Sequence, residues 1–112
     1  MNLKLVPLRI PSGWSVTLND FTESYPERFI DDDYEHRWEF KEDILQLRSK
    51  SRNKIIDLGW YPEFSADGQY KLVLVDTSEE DEEGSFCWNV IFEFESKSIE
   101  DIRLKIEELL QL

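Results

Sequence analysis

The chain has 112 residues, of which 13% are aromatic and 34% are charged, and its formal net charge is −12. This length suits one domain with one hydrophobic core, residues 1–112, and the aromatic content argues against disorder. A single cysteine excludes an intrachain disulfide and a multi-cysteine metal site, and no apolar run reaches the ~20 residues that a membrane span requires.

The N-terminal third predicts an extended arm, a strand and a long loop. Residues 3–10 are mostly apolar but carry one proline and are followed by another, which suits an edge strand or an extended arm. Apolar and polar residues alternate from Trp14 to Asn19, which predicts a half-buried strand. Residues 21–37 lack a clear period and form a predicted loop that its aromatic side chains pin down, with a short helical turn near residues 35–40.

The stretch from Ile55 to Val75 predicts a β-hairpin. Two apolar runs flank Ala66-Asp67-Gly68, and Asp-Gly between such runs is a strong hairpin signal. Ile56, Leu58 and Trp60 fall on one face of the first strand, and Pro62 is expected to end its regular pairing. The second run is apolar on both faces and is therefore predicted to lie inside the sheet.

The segment Asp43 to Arg48, which precedes this hairpin, is compatible with a helix or a strand. Because it is short and a polar turn follows it, we favour a strand that pairs with residues 55–60.

Two further elements are predicted after the hairpin. Asp76 to Gly84 has six acidic residues in nine and reads as a solvated connection. Alternating apolar residues from Phe86 to Phe94 predict a strand with all five on one face. Ser98 opens a capping box, and apolar residues at helical spacing then predict a helix that packs on the sheet, with Leu104 and Leu112 off its buried stripe. The predicted class is α+β, a four- to six-stranded, mainly antiparallel sheet with a C-terminal helix packed on one face.

Catalytic and metal-binding signals are weak. His36 is the only histidine and lies beside acidic residues, where a carboxylate could orient a general base, but no nucleophile motif or phosphate loop accompanies it. Cys87 has acidic neighbours, which disfavour a reactive thiolate. Neither acidic run has the ligand spacing of a calcium loop. We therefore predict no catalytic residue, no metal and no cofactor.

Protein binding is the function that the charge distribution favours. The acidic surface would repel nucleic acid and anionic membranes, attract a basic protein and accelerate its association. Aromatic side chains near these acids would anchor the complex. The predicted partner-binding residues are Asp31, Asp32, Asp33, Glu35, Trp60, Tyr61, Glu79, Glu80, Asp81, Glu82 and Glu83. A basic stretch from Arg48 to Lys54 stands alone and is predicted to be a hairpin tip or to pack against an acidic loop.

The chain resembles the small acidic immunity proteins that accompany bacterial polymorphic toxins. The resemblance is carried by IPSGWSVTLNDF, by GWYPEF-x-x-x-G-x-YKLVLV and by FES-x-S-x-E-D-I-x-x-K-I-E-E-LL. It implies a non-catalytic inhibitor that binds a toxin domain in the producing cell and occludes its active site, and it transfers no individual residue. The single cysteine independently fits a reducing, cytoplasmic setting. The alternative is a structural or adaptor subunit that forms a homodimer through an uncovered sheet face, Leu104 or the N-terminal edge.

Overall fold

One antiparallel sheet and one helix make up the regular structure. A computed structural model describes residues 3–112, so the first two residues of the predicted domain lie outside the described part. The strands follow one another in space as they do in the chain. They are β1 (Ser15–Asn19), β2 (Leu45–Ser49), β3 (Lys54–Tyr61), β4 (Gln69–Asp76) and β5 (Asn89–Ser96), and the helix is α1 (Ile99–Leu109). The predicted α+β class, strand number and C-terminal helix are confirmed.

The hairpin of β3 and β4 forms the middle of the sheet. Eight residue pairs join the two strands, from Lys54 with Asp76 to Tyr61 with Gln69. The strand pairing stops before Pro62, which has no N–H to donate to a ladder. β2 pairs with β3 as predicted, so the segment around residues 43–48 is a strand and not a helix.

A single buried cluster lies between one face of the sheet and α1. Ile56, Leu58 and Trp60 of β3 point into it, as their alternation predicted. The Ser98 hydroxyl accepts a hydrogen bond of 3.1 Å from the Asp101 N–H, which confirms the predicted N-cap. The helix then buries its apolar stripe, which consists of Ile99, Ile102, Ile106 and Leu109, followed by Leu110 just past the helix.

The long segment before β2 closes the same core. It contains two short 3-10 turns, Pro26–Arg28 and Arg37–Glu39, the second of which lies within the predicted stretch. Phe29 stacks on Phe40 with ring centroids 4.9 Å apart, and Phe40 meets the edge of Trp60 at 4.5 Å. These aromatic contacts confirm that the segment is pinned down. The N-terminal residues 3–10 form an extended arm and no regular strand.

The prediction that five apolar residues of the last strand share one face is wrong. β5 begins only at Asn89, and its register with β4 shifts between Val90 and Phe92, which leaves Ile91 as an extra residue. Because side chains alternate along a strand, an inserted residue moves those before it to the opposite face. Phe92 and Phe94 therefore lie on the helix side of the sheet. Val90 instead lies, with Trp88, on the side that α1 leaves uncovered, called the open face below.

Candidate protein-binding surface

The two predicted acidic runs lie at opposite ends of the sheet. Glu79–Glu83 follows the end of β4, beside the turn between β2 and β3. Asp31–Asp33 lies between Phe29 and Tyr34, whose rings pack against Phe40 near the other end of β3. Eight strand residues separate these ends by about 25 Å. The two runs therefore do not form one patch.

Part of the charge in the first run is already compensated within the chain. The Arg37 guanidinium lies 3.7 Å from the Asp32 carboxylate and donates to the Asp32 carbonyl oxygen at 2.9 Å. The Asp31 carboxylate accepts from the Asp33 N–H at 3.0 Å. Glu35 lies 3.3 Å from the His36 imidazole. These acids are exposed to solvent, and their contacts with Arg37, His36 and the loop backbone also stabilise the conformation of the loop.

The second run forms a small exposed turn. The Asp81 carboxylate accepts hydrogen bonds from the N–H groups of Glu83 at 2.9 Å and Ser85 at 3.0 Å. A single bridge joins Glu80 to Phe86. The other acidic side chains of this run project into solvent, as predicted for a solvated connection.

The aromatic pair after Gly59 divides between the core and the surface. Trp60 is 1% exposed, and its indole N–H donates to the Ser65 carbonyl oxygen at 2.8 Å. It cannot touch a partner in this fold, which corrects its assignment as a contact residue. Tyr61 is 41% exposed and lies at the end of the open face, where a partner can reach it.

Tyr61 is surrounded by carboxylates that sequence reasoning did not group together. Partial burial raises the pKa of the Tyr61 hydroxyl, and the negative charges of Asp57, Glu42, Asp43 and Glu63 raise it further. These acids come from β3 and from the segments that precede β2 and follow β3. Asp57 and Glu63 are close to Tyr61 in the chain, whereas Glu42 and Asp43 reach it only through the hydrogen bonds that hold their segment against β3. The one signal in the sequence is that Asp57 and Tyr61 lie on the same face of an alternating strand.

A cavity of about 270 Å³ lies in the open face beside Tyr61. Its lining consists of Asp57, Tyr61, Lys71, Val73, Trp88, Val90 and Glu93. Burial raises the pKa of Asp57; the hydrogen bond of 3.1 Å from the Gln46 amide opposes this, and the charge of Asp43 adds to it. The cavity thus combines two aromatic side chains with a half-buried carboxylate, which suits a cationic group.

Exposed apolar side chains concentrate along β5 and the residues just before it. Trp88 is 47% and Ile91 54% exposed. Phe86, Val90 and Phe92 are also exposed large apolar residues, and all five lie within seven consecutive positions. Contiguous exposed apolar surface with a polar rim is typical of protein interaction sites. Trp88 and Val90 lie on the open face with Tyr61, whereas Ile91 and Phe92 lie on the helix side, so this surface wraps around the free edge of β5. The surface formed by these five residues and Tyr61 is called the β5 surface below.

The basic stretch packs into the same end of the molecule as the second acidic run. The Arg48 guanidinium lies 4.9 Å from the Phe86 ring centroid, and the Lys54 ammonium lies 3.2 Å from the Asp76 carboxylate. Hydrogen bonds from Ser78 and Lys54 lower the pKa of Asp76 to about 2. Residues 50–53 form the exposed tip of the β2–β3 hairpin, which is the first of the two predicted alternatives, and the residues at its ends contact Phe86 and Asp76.

Neither of the two residues considered for catalysis lines the cavity of the open face. His36 contacts Glu35 and the edge of the Tyr34 ring, at 5.5 Å between centroids. Cys87 is partly exposed, and its backbone N–H donates to the Glu79 carbonyl oxygen. Among residues 3–112, no group of three potential ligand side chains is arranged to hold a metal ion.

The described part of the chain contains no helix with the length and apolar character needed to cross a membrane. Comparisons with protein-family models, with curated proteins and with solved structures found no match to this chain.

Proposed function

We propose that this chain is an immunity protein, an antitoxin that binds a cognate toxin domain in the cytoplasm of the producing bacterium and occludes its active site. It acts by stoichiometric binding and not by catalysis. Its partner is a protein with a basic surface, and no nucleic acid, membrane or cofactor takes part.

The observation that carries this proposal is the β5 surface. Trp88 and Val90 are exposed on the open face with Tyr61, and Ile91 and Phe92 are exposed on the helix side of the same strand. The chain buries other aromatic residues, such as Trp60, almost completely. Tryptophan and tyrosine side chains are among the residues that contribute most to binding energy in protein interfaces. The surface therefore supports a protein partner more strongly than a small-molecule reaction.

The charge around this surface supports a basic partner. Glu42, Asp43 and Asp57 lie near Tyr61, and Glu93 lies beside Trp88 in the cavity. With a net charge of −12, the whole molecule attracts a cationic protein from a distance. Apolar contacts would then slow dissociation, while charge accelerates association.

Affinity capture with matched variants tests the proposal. The tagged full-length protein is used as bait in lysate of the organism that encodes it, beside Trp88→Ala/Ile91→Lys and the control Leu104→Lys. Leu104 is 51% exposed on α1, off the buried stripe of that helix. We expect wild type and control to capture one stoichiometric protein with a basic toxin domain, and the double variant to lose it.

Growth assays complete the test. Expression of the captured domain alone is expected to arrest growth, and coexpression of wild type, but not of the double variant, is expected to restore it. If wild type fails to restore growth, or if the double variant captures and protects as well as wild type, the proposal is wrong.

A homo-oligomeric structural subunit is the second candidate, and the unpaired edge of β5 favours it. Two copies could join through this edge into one continuous sheet. Such a pairing would bring Glu93 and Glu95 of each copy close to those of the other, which is unfavourable. Sedimentation of the purified protein at high concentration distinguishes the two cases, because the antitoxin proposal expects a monomer.

A further inference from the structure

The outer edge of β5 has the geometry of a strand-acceptor site. Within residues 3–112, β5 pairs with β4 and with no other strand. Beyond the extra residue Ile91, its pairing is regular from Phe92 to Ser96. In a sheet, the backbone N–H and C=O groups on the free side of an edge strand are available to another extended chain.

The side chains of this edge alternate in chemical character. Glu93 and Glu95 point to the open face, whereas Phe92 and Phe94 point to the helix side. The Lys105 ammonium lies 5.7 Å from the Phe92 ring centroid and 5.2 Å from that of Phe94. On the open face, Glu93 has the Lys71 ammonium 3.5 Å away. The edge thus presents two carboxylates two residues apart, which matches the period of a strand.

We propose that the edge Phe92–Ser96 takes up an extended segment of a partner protein as a sixth strand, with lysine or arginine side chains at alternate positions facing Glu93 and Glu95. The inference rests on the proposed function, since the segment would belong to the toxin domain. Backbone hydrogen bonds supply affinity in this mode, and alternate side chains supply specificity.

The cavity of the open face extends this recognition. Glu93 lines the cavity together with Asp57, Tyr61 and Trp88. Lys71 also lines this cavity and lies 3.5 Å from Glu93. A partner cation that faces Glu93 would therefore share or replace this ion pair, and it would lie against two aromatic side chains and a second carboxylate. Cation–aromatic contacts of this kind favour lysine and arginine over neutral residues.

One feature of the chain favours a basic strand over a second copy of the protein, and another favours the edge of β5 over the edge of β1. A second copy would oppose glutamates with glutamates, and like charges directly across a strand pair are destabilising. The opposite edge of the sheet, β1, has only five residues and a register shift between Val16 and Leu18. Irregular short edges are poor templates for pairing.

A synthetic peptide provides a direct probe. A short capped peptide that alternates lysine and valine is titrated into the isotope-labelled full-length protein, and amide shifts and hydrogen exchange are followed by NMR. We expect shifts along Phe92–Ser96 and new exchange protection at every second amide of this stretch. A matched peptide that alternates glutamate and valine is expected to leave these amides unchanged.

Charge-reversed variants distinguish pairing of the peptide with Glu93 and Glu95 from its general attraction to a negatively charged protein. Glu93→Lys/Glu95→Lys is expected to weaken binding of the lysine peptide roughly 10-fold or more and to create binding of the glutamate peptide. The control Glu82→Lys/Glu83→Lys changes the net charge equally in the exposed acidic turn. At physiological salt its effect is expected to stay within about 3-fold, because charges beyond the Debye length of about 8 Å are largely screened.

Three results would overturn the inference: no change at β5 amides up to about 1 mM peptide, changes confined to β1 or the acidic turns, or equal losses in the two charge-reversed variants. If the amide spectrum shows that Glu93→Lys/Glu95→Lys does not fold, Glu93→Gln/Glu95→Gln replaces it, with an expected loss of about 3-fold. A further result is that the peptide fails to bind β5 while wild type captures its partner and Trp88→Ala/Ile91→Lys does not. That result would refute strand addition and leave the proposed function standing.

Discussion

Asp57 is a carboxylate placed where the sheet gives it little compensation. It lies in the middle of β3 on the open face, and its one side-chain hydrogen bond comes from the neutral amide of Gln46. The ammonium of Lys71, which lines the same cavity, lies 3.5 Å from Glu93. A cation that binds nearby stabilises the charged form of a half-buried carboxylate whose only partner is neutral. Asp57 is therefore favourable for binding a cationic group but unfavourable for the stability of the free protein.

The pH dependence of the free energy of unfolding should reveal how much the half-buried charge of Asp57 destabilises the fold. Burial raises the pKa of Asp57 above its ordinary value, so the folded protein binds this proton more tightly than the unfolded chain does. The stability contributed by the neutral form is complete below about pH 3.9 and is lost as the pH rises through the raised pKa. Asp57→Asn keeps an oxygen for Gln46 and removes the charge. We expect it to be more stable than wild type at pH 7 and equally stable at pH 3.

Urea unfolding at the two pH values measures the difference, with Asp33→Asn as a control at an exposed carboxylate. A variant that is less stable than wild type at pH 7 would show that the Asp57 charge has a favourable partner within the chain.

Sequence patterns assign single residues well only when their neighbours in space are also neighbours in the chain. The alternation of Ile56, Leu58 and Trp60 predicts their common buried face, and the same alternation places Tyr61 on the other one. That rule was sufficient to exclude Trp60 from the binding residues. Glu42 and Asp43 come from a separate segment, so no local pattern in the sequence could have grouped them with Tyr61.

At the scale of elements, the backbone before β2 passes very close to β3. The Trp60 N–H donates to the Lys41 carbonyl oxygen at 2.8 Å, and the Ile44 N–H donates to that of Leu58 at 3.0 Å. Between these two bonds, residues 42 and 43 arch over Gly59. A side chain at position 59 would meet the carbonyl oxygen of Glu42 and the ring of Tyr61. Glycine therefore permits the approach that brings Glu42 and Asp43 to the open face.

Gly59→Ala is expected to lower the free energy of unfolding by about 3 kcal/mol, because a methyl group in a packed contact forces the backbone to move. Gly84→Ala is the matched control: its φ of +86° disfavours alanine, but nothing lies near the added carbon. We expect that change to cost about 1 kcal/mol. Chemical denaturation measures both, and equal losses would contradict the close approach of Glu42.

The extra residue at Ile91 is a feature of β5 that the apolar pattern of the sequence does not predict. The apolar alternation from Phe86 to Phe94 is regular, so it predicts one strand with one apolar face. Where β4 pairs with this strand, one position is skipped, and such a bulge depends on the partner strand and the following helix. The sequence thus predicts the strand, but it does not predict that Trp88 and Val90 face away from the core.

At the scale of the whole molecule, negative charge is spread over both ends of a body whose longest extent is 47 Å. The two acidic runs are too far apart to share a contact surface, yet at 0.01 M salt the Debye length of about 30 Å lets both contribute to one field. At 0.15 M each acts only on its surroundings. At low salt, the proposed binding site would therefore feel the field of both runs, although the two runs cannot touch the same partner residues.

This field is expected to give salt opposite effects on folding and on binding. The excess of twelve negative charges repels itself in the compact state, while the ion pairs within the chain are mostly exposed and contribute little. Raising sodium chloride from 0.01 to 0.15 M should therefore increase the free energy of unfolding, measured in urea. The same change should slow association with the captured basic partner by roughly 10-fold, measured by stopped-flow mixing. A loss of stability with salt would mean that the internal ion pairs outweigh the repulsion, and a salt-independent association rate would mean that the acidic surface does not steer the partner.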